Sequence, residues 1–187
     1  MALRTITPPT TEPLTLTELK QALRVDYDAD DSILTALIVS AREWCEDYQK
    51  KKYITQTLEL VLDGFADTIE FRACSPVQSV ASVKYYDTAG NESTVDSATY
   101  QLDKDSIFAR LEPCKNKQWP SISLQKMNGV VIRFVAGYGD NTQVPESVKQ
   151  AIILHIKTLY EDYKPDEIKR IQEARNSLLG MKRVINV

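Results

Sequence analysis

The apolar residues of this chain keep a helical spacing up to about residue 50, alternate from Ile54 to Tyr138, and return to helical spacing after Pro145. A side-chain period near 3.6 belongs to a helix with one buried face, and a period of two to a strand with one buried face. The change of period therefore predicts an α+β fold. It is expected to have a helical bundle core, with long helices near residues 31–50 and 145–164, and a central antiparallel β-rich insertion.

Within the insertion, Leu58, Leu60 and Leu62 alternate with Thr57, Glu59 and Val61. Ile69 and Phe71 flank Glu70, Val83 and Tyr85 flank Lys84, and Tyr100 and Leu102 flank Gln101. Half-buried antiparallel strands read this way. Further strands are expected around Ile107 to Leu111 and Val130 to Val135. Asp87-Thr88-Ala89-Gly90-Asn91 predicts a hairpin turn, since glycine and asparagine tolerate positive φ. The last strand runs through Arg133-Phe134-Val135-Ala136 into Gly137-Tyr138-Gly139, and Val144-Pro145-Glu146 then opens a helix.

The helical segments carry their own punctuation. Thr15 with Glu18 has the spacing of a capping box and starts a short helix to about Arg24. Asp26, Asp28, Asp30 and Asp31 resemble a calcium loop in composition but lack the glycine and distal glutamate it needs, so Asp30 or Asp31 is expected to cap the next helix. That helix, to Lys50, is expected to bury Ile33, Leu37, Ala41, Trp44, Cys45 and Tyr48. Lys50, Lys51 and Lys52 suit its carbonyl end. A third helix from Pro145 to about Lys164 is expected to stop at Pro165, and a fourth covers Asp166 to about Leu179, ending at Gly180. Pro8, Pro9 and Pro13 favour an extended arm over residues 1–13, ordered only against a neighbour. The organisation expected is one domain over 1–187: arm 1–13, helices 14–53, β segment 54–139, helices 145–179 and a basic then apolar tail 180–187.

Composition narrows the chemistry. A formal charge of −3 gives no general attraction to nucleic acid. Neither a run of about twenty apolar residues nor a secretory leader pattern is present, so a soluble protein made in the cytoplasm, with no membrane partner, is expected. Cys45, Cys74 and Cys114 are odd in number and widely spaced, which suits neither a disulfide framework nor a metal knuckle. The single histidine, His155, lies in an apolar helix and reads as a core or interface residue. Nucleophile-elbow, phosphate-loop, HExxH and dinucleotide patterns are all missing. No catalytic, cofactor-binding or metal residues are assigned, no cofactor is expected, and the chain does not read as an enzyme.

Assembly is the better reading. The apolar residues of the third helix cover more than one face, so that helix is expected to be either central to the core or shared with a partner; on the second reading Ile153, Ile156, Tyr160 and Tyr163 are the candidate oligomer interface. The loop from Pro113 to Met127 carries Lys115, Lys117 and Lys126 with Trp119-Pro120 and no acidic residue.

The chain resembles the phage head-tail connector (adaptor) family, gp6-like or gp15-like. Ordered segments carry the likeness: Ile6-Thr7-Pro8-Pro9, Glu12-Pro13-Leu14-Thr15-Leu16, Leu23-Arg24-Val25-Asp26, Ala41-Arg42-Glu43, Ile54-Thr55-Gln56-Thr57, Leu62-Asp63-Gly64-Phe65, Pro76-Val77-Gln78-Ser79-Val80, Tyr85-Tyr86-Asp87, Trp119-Pro120 and the two segments beginning at Val131 and Val144. Leu58 stands where an aromatic residue is expected, and the part after Pro165 is longer and more charged than usual for the group. The resemblance implies a structural protein of a tailed phage or prophage, at the head-tail interface of the virion. It implies a homo-oligomeric ring of roughly a dozen copies that docks on the portal protein, extends the channel through which DNA passes, and recruits a stopper or tail completion protein. On that reading Lys115, Lys117 and Lys126 belong to a mobile loop at a lumen or intersubunit surface. The alternative is a DNA-packaging accessory protein that binds DNA directly, which requires a basic face.

Overall fold

A computed structural model describes residues 2–106 and 108–180. The chain forms two compact units, and each draws on separated parts of the sequence. Residues 1–9 and 55–137 make a β unit, and residues 10–54 and 138–187 make a helical unit. The tail after Gly180 and the Ile107 end of one expected strand lie outside the described residues.

In the β unit, a five-stranded antiparallel sheet has the order β1-β2-β8-β4-β5, formed by Ala2–Thr7, Gln56–Leu62, Val130–Ala136, Val77–Tyr86 and Glu92–Thr94. A three-stranded sheet has the order β3-β7-β6, formed by Ile69–Glu70, Arg110–Pro113 and Tyr100–Asp103. Leu58 and Val80 lie opposite Phe134, and Leu60 and Val83 opposite Ile132. All but the half-buried Val80 are buried, and they share one core with Ile69, Phe71 and Leu111 of the smaller sheet's side. On the outer face Arg133 Nη2 reaches Glu59 Oε1 at 2.7 Å. The alternation expected from sequence thus holds in β2 as far as Leu60, but Val61 is buried and Leu62 only half so. The expected arm differs: Ala2–Thr7 is a strand paired along β2, with every residue exposed.

The Asp87–Asn91 turn joins β4 to β5 as expected, with Gly90 at φ +83° and the Asp87 carboxylate accepting from the Ala89 and Asn91 amides. Gly129, just before β8, is needed for another reason. A Cβ there would stand 2.7 Å from the Asp63 carbonyl oxygen and 3.1 Å from that of Gln125. Both obstacles are backbone, so Gly129→Ala is expected to cost about 1–3 kcal/mol by overpacking. Gly90→Ala meets open space and should lose only the ~1 kcal/mol of left-handed backbone strain. Urea unfolding of the two variants checks the order.

The helical unit contains α1 (Leu16–Leu23), α2 (Asp31–Gln49), α3 (Glu146–Tyr160) and α4 (Pro165–Gly180). The capping box of α1 is complete: the Glu18 amide donates to Thr15 Oγ1 at 3.2 Å, and the Thr15 amide to Glu18 Oε2 at 2.7 Å. Leu34, Ile38, Ala41 and Cys45 of α2 pack with Val148, Ala151, Ile152 and Ile156 of α3 and Leu179 of α4. The α2 stripe is therefore rotated from the expected one. Ile33 and Trp44 are exposed, while Arg42, Glu46 and Gln49 are buried. Asp30 holds the N-cap position without capping, because its carboxylate is taken by tyrosines. The third helix ends at Tyr160, earlier than expected, and Pro165 opens α4. Proline suits a first helical turn, where its missing amide costs nothing.

The glycines after β8 explain that segment. Gly137 has φ +126° and Gly139 φ +144°, values that L side chains rarely adopt. Gly137 N donates to Pro76 O at 2.9 Å, and Tyr138 N to Tyr53 O at 2.9 Å.

Candidate connector surfaces

Three groupings of polar and aromatic side chains stand out, two in the helical unit and one in the β unit. The first gathers around Trp44 of α2. Its indole stacks on His155, with centroids 4.5 Å apart, and on Tyr48 at 5.3 Å, while the Arg175 guanidinium lies 3.9 Å from the Trp44 ring. Arg175 Nη1 is 2.6 Å from His155 Nδ1. A guanidinium only donates, so Nδ1 accepts and the histidine is neutral with its proton on Nε2. Burial, aided by the Arg175 charge, pushes the His155 pKa down to about 4. Arg175 and Leu179 thus fasten α4 to α2 and α3, and Gln49 Nε2 donates to Leu179 O at 2.6 Å.

A depressed histidine pKa has a defined stability sign. The unfolded chain takes up the proton near pH 6.5 and the folded chain only near 4, so His155 contributes fully above 6.5 and its contribution is lost as pH falls towards 4. Allowing for solvent screening at the ring edge, acidification to pH 4.5 is expected to remove ~1–2 kcal/mol through this residue. The urea midpoints of wild type and His155→Gln at pH 7 and 4.5 should then converge at the lower pH.

The second grouping lies where α2 begins and α3 ends. Tyr160 Oη donates to Asp30 Oδ2 at 2.7 Å, Tyr27 Oη stands 3.0 Å from Tyr160 Oη, and Lys20 Nζ contacts Asp28 at 2.6 Å and Asp31 at 2.7 Å. The acidic linker is thus engaged by a lysine and two tyrosines. The hydrogen bonds that Tyr160 makes with Tyr27 and to the Asp30 carboxylate raise its pKa above the ordinary phenol value.

The third grouping is the loop between β7 and β8. Trp119 Nε1 donates to Ala66 O at 2.8 Å, and its ring stacks on Phe65 with centroids 5.0 Å apart. Gln125 N donates to Tyr86 O at 3.1 Å, and Asn128 N to Asp63 Oδ1 at 3.0 Å. The loop is pinned at its middle and its end, while Lys115, Lys117 and Lys126 are all exposed.

Of the residues marked for an oligomer interface, Ile153 and Ile156 are buried within the chain's own helical core. Tyr160 is half-buried against Asp30, and Tyr163 hydrogen-bonds to Glu161. The apolar side chain that α3 leaves open is Leu159. Sequence reasoning missed the partnership of Arg175 with Trp44 and His155, because the three come from three helices and no spacing links them. Burial pushes the Cys45 thiol up to about 12, which leaves it protonated and poor as a nucleophile.

Comparison with solved structures finds the fold elsewhere. A chain in the neck of an empty gene transfer agent particle, computed with C6 symmetry, matches with a TM-score of 0.79 at 24% identity, over 100% of this chain and 97% of that one. A chain in the virion of the native particle matches at 0.80 and 23% identity, with the same coverage. A chain in the native neck computed with C12 symmetry matches at 0.73 and 24% identity, again over 100% and 97%. No curated protein matches the sequence. The model of the phage gp6-like head-tail connector proteins matches residues 13–115, from just before α1 to just past β7, and the chain belongs to that family.

Proposed function

We propose that this protein works by geometry, as a ring of roughly a dozen copies at the head-tail interface of a phage or prophage particle. The ring docks on the portal protein, extends the DNA channel and offers a surface to a stopper or tail completion protein. Family membership over residues 13–115 carries the reading. Whole-chain likeness to subunits in a neck computed with C12 symmetry supports the ring. The role needs no bond cleavage and no cofactor, and the protein is made in the cytoplasm of the bacterial host.

The charge balance supports passage of DNA rather than capture. With a net charge of −3, the ring as a whole repels phosphate, and sliding is favoured when few cations are fixed along the path. DNA binding by the purified protein is expected to be undetectable at micromolar concentration in physiological salt. Tight, salt-sensitive binding in a mobility-shift assay would favour the DNA-packaging accessory role instead. The decisive experiment mixes the protein with the portal oligomer encoded in the same genome and follows it by sedimentation and particle imaging. A stoichiometric ring on the portal's outer end is expected. Failure to bind a correctly assembled portal overturns the proposal.

A further inference from the structure

Two exposed apolar patches carry opposite charge, one on each unit. In the helical unit Tyr27 is 50% exposed, Ile33 53% and Leu159 53%, all within a turn or a hydrogen bond of the Tyr160–Asp30 junction. Asp26, Asp28 and Asp162 are exposed beside them. Lys20 answers Asp28 and Asp31, and Lys157 and Lys164 stand on the end of α3 and beyond it, but carboxylates remain in excess across 26–31 and 159–164. In the β unit Met127 is 70% exposed and Ile122 45%, on the loop that presents Lys115, Lys117 and Lys126 and contains no acidic residue. Of the carboxylates around it, Asp63 accepts from the Asn128 amide and Asp87 from the Ala89 and Asn91 amides.

We infer that the basic loop of one copy docks on the acidic end of the helical unit of the next. Ile122 and Met127 meet Tyr27, Ile33 and Leu159, while the lysines face Asp26, Asp28 and Asp162. Opposite charge around an apolar centre sets orientation and rejects pairing of like patches, since loop against loop brings lysines together. A contact between two different surfaces is heterologous, the kind that closes a ring or runs on as a filament. Trp119 stacked on Phe65 pre-orders the loop, which lowers the entropy lost on docking.

The inference rests on the ring proposed above, and a charge-swap test separates the two. Lys115→Glu/Lys117→Glu/Lys126→Glu on one side and Asp26→Lys/Asp162→Lys on the other change exposed residues, so folding is checked by unchanged urea midpoints. Ring formation, free or seeded on the portal oligomer, is followed by sedimentation against salt. Each swapped protein alone is expected to lose at least about tenfold in assembly, as is Leu159→Ser/Met127→Ser, and an equimolar mixture of the two charge-swapped proteins to lose less than either alone, because half of its junctions pair a loop with a patch of opposite charge. A chain carrying both swaps is expected to recover assembly. Wild-type rings with no loss in the swapped proteins, or no recovery in the doubly swapped chain, overturn this contact and leave the ring standing. If wild type forms no ring with or without portal, the ring itself is wrong and this contact falls with it.

Discussion

Replacing Glu46 with leucine is expected to lower the unfolding free energy by about 3–5 kcal/mol. The Glu46 carboxylate is buried on α2, where Oε1 accepts from the Tyr53 amide at 2.9 Å and Oε2 stands 3.0 Å from Lys52 Nζ and 3.5 Å from Arg42 Nη1. Arg42 is itself buried and reaches Glu12 at 2.7 Å. Leucine fills the space but leaves the buried Tyr53 amide unpaired and takes the counter-charge from Lys52, while Arg42 keeps Glu12, and a buried group left without its partner costs more than the pair contributes. Glu46→Gln keeps an acceptor for the Tyr53 amide, so its loss should be smaller. Urea unfolding at pH 7 reads both; a leucine variant within 1 kcal/mol of wild type would show that the network carries little.

Phe134→Ala is expected to cost a similar ~3–5 kcal/mol by a different mechanism. Phe134 is fully buried at the centre of β8, opposite Leu58 on one side and Val80 on the other, and its ring lies 4.7 Å from that of Phe71. Phe71 follows β3, so this ring pair binds the smaller sheet's side to the larger sheet. Truncation leaves a cavity that neither sheet can close without breaking its register. Phe134→Leu keeps most of the volume and should lose under ~1.5 kcal/mol. Equal losses in the two variants would mean that the core is looser than its packing.

What was legible in the sequence followed from local chemistry. Thr15 and Glu18 reach each other whatever the rest of the chain does, and Gly90, Gly137 and Gly139 stand where the backbone needs positive φ. The alternating run at Leu58 and Leu60 was readable because one face of β2 meets a core. Strand β1 escaped because all of its residues are exposed, so no burial pattern marks it, and the prolines that follow suggested a free arm. On α2, hydrophobicity alone placed Ile33 and Trp44 inside. The structure instead turns Arg42, Glu46 and Gln49 inward, since Arg42 and Gln49 find partners in distant parts of the chain and Glu46 finds the Tyr53 amide just past the end of the helix. Long-range pairing of that kind leaves no periodic trace. The same holds for the candidate surfaces: the lysines of the basic loop could be listed from sequence, but which apolar side chains stand exposed beside them could not.

The division of the chain between its units also sets an order of events on the ribosome. Every strand of the β unit has been made by residue 136, whereas the core of the helical unit needs Ile152 and Ile156 from α3 and Leu179 from α4. Synthesis runs from the amino end and compact units fold as their parts emerge. The β unit is therefore complete while α1 and α2 still wait with Leu34, Ile38 and Cys45 uncovered. The apolar face of α2 is a chaperone's opportunity until the last helix arrives, and α1 and α2, encoded ahead of seven of the eight strands, are covered only after all of them are made.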